Sequence, residues 1–156
     1  FRVQTSSQNF NTPIGLLLSI LSIEKSGSTP FEWIRIFFHV YFHDLPQPEI
    51  LLLEFGVDQK GDMQKLLKIC QPKTVVITPI ALAHTAKGQF RSVHDIQEEK
   101  LQICEKAERI ISNLFNSETA AIIQGRWEGK TMPFGTAKDL PPPITGLPTL
   151  EISDIH

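Results

Sequence analysis

Glu49-Ile50-Leu51-Leu52-Leu53-Glu54-Phe55 is a short, almost continuous apolar run bounded by Pro48 and Gly56. A run of this length between breakers reads as a strand covered on both faces, the pattern of a parallel sheet. Lys73-Thr74-Val75-Val76-Ile77-Thr78 repeats the signature with β-branched residues, and Gly61 to Cys70 between them reads as a short helix stopped by Pro72. Strand, helix and strand in that order imply a crossover and therefore an α/β fold. In such sheets ligands gather beyond the carboxyl ends of the strands, so the loops after Ser6, Phe55 and Thr78 carry the most interest.

Upstream, Phe1 to Ser6 alternates weakly and reads as a short strand. Thr12-Pro13 caps a helix with Ile14, Leu17, Leu18 and Leu21 at helical spacing, expected to end near Lys25. Thr29-Pro30-Phe31-Glu32 is a capping box that opens a second helix to about His43. Because Phe31, Trp33, Ile34, Ile36, Phe37, Phe38, Val40, Tyr41 and Phe42 leave it apolar nearly all round, that helix is expected to be buried on more than one side.

Downstream, Ser92 is expected to cap a long amphipathic helix running to about Asn113, with Ile96, Leu101, Ile103, Ala107, Ile110 and Ile111 toward the core. Thr119 to Gln124 reads as a strand. Beyond Gly125, glycine and proline predict hairpins and loops, with a last strand near Leu150 to Ile152. The expected architecture is one α/β domain over 1–156, a mostly parallel sheet flanked by helices, with its core in 9–124 and a loop-rich part in 125–156.

Composition agrees with a single soluble domain. The chain has 156 residues, 41% hydrophobic and 21% charged, and its 15 Lys+Arg against 17 Asp+Glu give a formal charge of −2. About 150 residues bury roughly 70% of the unfolded surface, so folding needs no metal or disulfide staple. The near-zero charge argues against a dedicated nucleic-acid or membrane-surface binder. No stretch approaches the ~20 apolar residues of a membrane span, and the first residues do not form a signal peptide. Cys70 and Cys104 make no disulfide framework, which fits a reducing cytoplasm. Beginning at Phe1 and not Met, the chain reads as a piece of something longer.

Several residues could carry chemistry. Glu54, at the end of a leucine strand, is costly to bury unpaired and is expected to face a cation, an amide or solvent. His84 follows Thr78 in the next loop. If the two strands are neighbours, Glu54 and His84 converge on one sheet edge, where a carboxylate and an imidazole could contribute to a divalent-metal site. Lys100, in Gln97-Glu98-Glu99-Lys100, reads by itself as a solvated helical lysine.

Gly125-Arg126-Trp127-Glu128-Gly129-Lys130-Thr131 ends like a phosphate loop, but three residues separate its glycines where four are needed. It reads as a hairpin turn. His39 and His43 stand at i, i+4, a spacing that permits zinc ligation, but no Glu follows His39 and the aromatic surroundings favour core or edge histidines. Phe37, Phe38, Tyr41 and Phe42 read as core, because no basic stripe accompanies them as a base-stacking platform would require. Neither cysteine has the basic or histidine neighbours of an activated thiol.

Taken in order, Asn9-Phe10-Asn11-Thr12-Pro13-Ile14-Gly15, the segment Leu51 to Met63 (LLLEFGVDQKGDM), Pro72 to Thr78, Ala83 to Phe90 (AHTAKGQF) and Ile96-Gln97-Glu98-Glu99-Lys100 resemble the central ATPase domain of the Mur ligases. Within them, the resemblance is to the branch that adds D-Ala-D-Ala to a UDP-muramoyl-tripeptide. It covers about Asn9 to Asn113, with weaker echoes at Met132 to Asp139 and Glu151 to Ile155.

The resemblance implies a cytoplasmic ligase of peptidoglycan precursor synthesis that uses ATP and Mg2+ and forms an amide through an acyl phosphate. It implies a magnesium-binding Glu54, His84 as ligand of a second magnesium, and Lys100 as a lysine carbamylated to bind that ion, with Lys106 a second candidate. Asn9 and Asn11 would face the UDP-muramoyl-peptide. The family commonly has Asn at Pro79 and Gly at Ala81, and its phosphate loop lies upstream of the Asn9 segment. The stretch is therefore expected to lack that loop and to be inactive alone. Two alternatives stay open, a folylpolyglutamate synthase-like amide ligase and a non-catalytic paralogue acting as an interaction domain. The sequence leaves oligomeric state open.

Overall fold

The computed structural model describes residues 1–5, 10–45, 47–80, 90–113, 117–135 and 150–151. These divide into two compact units. One is Phe1–Val57 with Asp62–Ile69, and the other is Asp58–Gly61 with Cys70–His156.

The first unit contains β1 (Val3–Thr5), α1 (Pro13–Ile20), α2 (Pro30–Phe42), β2 (Ile50–Leu52) and α3 (Asp62–Ile69). β1 and β2 pair in parallel, Val3 with Ile50 and Thr5 with Leu52. Thr12 caps α1 by accepting the Gly15 N–H at 3.2 Å, and Pro13 occupies the first turn as expected. The helix stops at Ile20, well before Lys25. Ser22 takes a left-handed φ of 58°, its N–H donates to Ser19 and the Ile23 N–H donates to Leu18. That pair of bonds is a Schellman motif, which closes the helix whatever apolar residues follow. α1 packs on α3, with Leu16, Leu18, Met63 and Leu66 buried. The Gln4 amide nitrogen donates to the Ser19 carbonyl at 2.6 Å, tying β1 to the end of α1.

α2 departs most from expectation. Its capping box is complete: the Thr29 hydroxyl accepts the Glu32 N–H at 3.3 Å, and the Glu32 carboxylate accepts the Thr29 N–H at 3.1 Å. Yet no residue of the helix is buried, and Phe37 and Tyr41 are 77% and 81% exposed. The reading of Phe37, Phe38, Tyr41 and Phe42 as core is overturned. An apolar circumference reports what a helix could bury, and among the described residues no second layer covers it. β2 is likewise not covered on both faces, since Ile50 and Leu52 are exposed.

The second unit contains β3 (Thr74–Ile77), α4 (Val93–Leu101), β4 (Arg109–Asn113), α5 (Ser117–Trp127), β5 (Thr131–Gly135) and β6 (Leu150–Glu151). The four strands form a parallel sheet in the order β3-β4-β5-β6. β3 buries Val75 and Ile77 on one face while Val76 is exposed, so it too is one-sided.

Three downstream expectations are corrected. The long helix to Asn113 is α4, a 3-10 turn at Gln102–Cys104 and then strand β4. Arg-Ile-Ile-Ser-Asn is β-branched and alternates in burial, and it finds ladder partners on both sides. Thr119 to Gln124 is helical, not a strand, with Thr119, Ala120, Ile123 and Trp127 buried along one face. Gly125 to Thr131 is not a hairpin. It carries the end of α5 into β5 through Gly129, whose φ is +85°.

Candidate functional site

In the first unit the parallel pairing of β1 and β2 sends the segments that follow both strands toward the same end of the ladder. Asn11 lies on the first of these segments and Glu54 on the second, two residues past the end of β2. The Gly56 N–H donates to the Asn11 carbonyl at 3.2 Å. A Cβ on Gly56 would fall 2.7 Å from Cγ of Asn11, so only glycine lets the two segments approach this closely. Gly15 plays the same part from the helix side, where a Cβ would meet the Phe10 Cα at 2.7 Å. Asn11 is thus clamped, while the Glu54 carboxylate is exposed. Of the alternatives for Glu54, the structure shows a carboxylate open to solvent at a strand end.

In the second unit Lys100 lies half-buried in the last turn of α4. Lys106 lies outside the helix, exposed in the turn after the 3-10 segment. Among the described residues β2 pairs with β1, and β3 with β4. Asn9 and His84 lie outside the described residues. Among those described, no group of three or more His, Cys, Asp or Glu could hold a metal ion.

The residue next to Lys100 was not singled out by the sequence. Glu99 is 2% exposed, accepts the Gly61 N–H at 3.0 Å through one oxygen and the Gln102 amide at 3.0 Å through the other. Gly61, with φ +92°, belongs to the Asp58–Gly61 segment downstream of Glu54. A carboxylate hydrogen-bonded on both oxygens can be buried at acceptable cost. The signal was present: Ile96, Glu99 and Ile103 share i, i+3, i+7 spacing, which puts the carboxylate on the apolar side of the helix.

Around it, the Gln97 amide donates to the Thr119 hydroxyl at 3.1 Å, and Arg126 pairs with Glu98 at 2.6 Å, both linking α4 to α5. Lys130 explains why its Gly-Lys-Thr is no phosphate cradle. The ammonium donates to the carbonyls of Cys104, Glu105 and Ala107 at 3.3, 3.3 and 2.9 Å, and the segment runs from helix to strand. Neither thiol is activated. Burial pushes Cys104 up to about 12 and raises Cys70 as well.

The described elements define an α/β protein with parallel strands and helices, and the chain is similar to the Mur ligases. Over 128 residues it is 23% identical to the UDP-N-acetylmuramoyl-tripeptide–D-alanyl-D-alanine ligase of Bacillus subtilis (strain 168), a match that takes in 76% of this chain. The chain spans 23% of the length of that relative. A solved structure of MurF ligase from Thermotoga maritima in complex with ADP aligns with 85% of this chain and 32% of its own, with 24% identity and a TM-score of 0.48. No family model matches the chain. Among the described residues no helix is long and apolar enough to cross a membrane.

Proposed function

We propose that this chain is part of the central domain of a Mur-type ligase, a cytoplasmic enzyme of peptidoglycan precursor synthesis. The reaction is ATP-dependent amide formation that joins D-Ala-D-Ala to a UDP-muramoyl-tripeptide through an acyl phosphate. The observation that carries this reading is the ordered set of motifs around Asn11, Glu54 and Lys100, supported by the match to the Bacillus subtilis ligase.

The donor chemistry fits a magnesium ion. Glu54 offers an exposed carboxylate beyond a strand end, and magnesium characteristically takes one or two carboxylates and completes its shell with water and substrate phosphates. When bound, the ion supplies neutralisation of phosphate charge during transfer. Glu54 is proposed to hold it, with His84 and a carbamylated Lys100 as ligands of a second ion. Carbamylation would turn a cationic side chain into an oxygen donor, which hard cations prefer. Asn9 and Asn11 are proposed to face the UDP-linked substrate, and Gly56 keeps Asn11 in place for that role.

The test uses the full-length protein from which this chain comes, supplied with MgATP, UDP-muramoyl-tripeptide and D-Ala-D-Ala. Phosphate release that depends on both substrates is expected, with most of the rate lost in Glu54→Ala. Undiminished turnover in that variant refutes the site, and phosphate release with a folate substrate instead refutes the substrate class. Extra mass on a peptide containing Lys100 under bicarbonate tests the modification.

A further inference from the structure

The two histidines of α2 have no place in the proposed ligase chemistry, and neither is buried. His39 lies in the last turn of the helix and His43 is its C-cap. Although His43 has left helical dihedrals, its N–H still donates to the His39 carbonyl at 3.1 Å, so its Cα keeps the i+4 position one turn above His39. The rings stack on one another with centroids 4.6 Å apart and planes 27° from parallel.

A second feature fixes which nitrogen is free. Nδ1 of His43 lies 3.3 Å from the His39 carbonyl oxygen. A carbonyl only accepts, so Nδ1 carries the hydrogen in that bond, and in the neutral ring the lone pair then lies on Nε2. Histidines that ligate metals characteristically donate the other ring N–H to a carbonyl or carboxylate, which holds the ring and sets the tautomer.

We propose that His39 and His43 form a two-imidazole chelate on the exposed face of α2 for a borderline divalent transition-metal ion. Two nitrogens on one tetrahedral ion stand about 3.3 Å apart when each bond is about 2.05 Å. The rings, stacked with centroids 4.6 Å apart, must turn about their side-chain torsions for two nitrogens to converge on one ion at that span. Imidazole donors select Cu2+, Ni2+ and Zn2+ over the hard Mg2+ of the ligase proposal, with Cu2+ the tightest in the usual order. Water completes the coordination shell. The site is independent of the ligase reading.

The test is calorimetric titration of this chain with NiCl2, and separately with CuCl2, for the parent, His39→Gln, His43→Gln and the double variant. Both side chains are exposed, so the variants are expected to fold. The parent is expected to bind one equivalent, each single variant to weaken that event and the double variant to lose it, while His94→Gln leaves it unchanged. Metal should also slow amide exchange at the C-terminal end of α2, because binding cross-links its last turn. An unchanged isotherm in the double variant, or no binding by the parent, overturns the proposal.

Discussion

Gly61 and Glu99 are 38 positions apart in the sequence, yet the glycine N–H donates to the glutamate carboxylate at 3.0 Å. Glu99 is nearly inaccessible to water while Gly61 is half-buried, so the bond is partly shielded from solvent. Glu99→Ala leaves the Gly61 N–H and the Gln102 amide without their acceptor and is expected to cost about 1–3 kcal/mol. Glu99→Gln keeps one acceptor oxygen and should lose less. Urea unfolding midpoints decide this, and an unaltered midpoint in the alanine variant would show the bond to be dispensable.

Lys130 closes three carbonyls left open where the helical segment ends before β4. Lys130→Met should destabilise the protein by about 1–2 kcal/mol, the range of a cation at a partly buried helix C-terminus. Thermal denaturation measures it.

The glycine contacts make steric predictions. Gly15→Ala drives a methyl into the Phe10 backbone, which cannot rotate aside, and overpacking of this kind costs about 1–3 kcal/mol. Gly56→Ala meets the Asn11 side chain instead. It is expected to displace Asn11, and the chemical shift of the Asn11 amide group reports whether it does.

How much of this was legible beforehand depended on range. Local signals were read correctly: Thr12 and Thr29 cap their helices, and β1, β2, β3 and α3 fall close to where period and punctuation put them. Failures came where partners decide. Arg109–Asn113 continues a helical pattern on paper and becomes a strand because β3 and β5 flank it. Thr119–Gln124 has too few residues for its period to separate strand from helix. The aromatic circumference of α2 implied burial, but burial needs a neighbour that the helix's own residues do not specify. At the candidate site, Glu54 and Lys100 are proposals that rest on motif order, whereas the Gly56–Asn11 clamp was hidden because a short distance between segments leaves no local mark.

Acidification should loosen α2. The N–H groups of Ser28 and Thr29 hold the Glu32 carboxyl below its ordinary 4.5. A value lower in the folded than in the unfolded chain adds stability above the unfolded value, lost as pH falls through the folded one. Amide exchange in the first turn of α2 is expected to accelerate below pH 4.5, beyond the general acid-base trend. Glu32→Gln should remove that dependence, and Thr29→Ala should cost the helix about 1 kcal/mol.

Cys104, held to a thiol value of about 12 by burial, is expected to resist Ellman's reagent at pH 8 in the native protein and to react on unfolding. Rapid native labelling of both cysteines would contradict that burial.

The division of the chain also sets an order of events during synthesis. The first unit is interrupted by Asp58–Gly61 and regains α3 only at Asp62–Ile69. Since α3 packs on α1, the unit cannot close on the ribosome until Ile69 has emerged. Gly61 has by then left the exit tunnel too, while its acceptor Glu99 has yet to emerge. A nascent chain stalled between those points would carry a finished first unit beside a loop still waiting for its carboxylate.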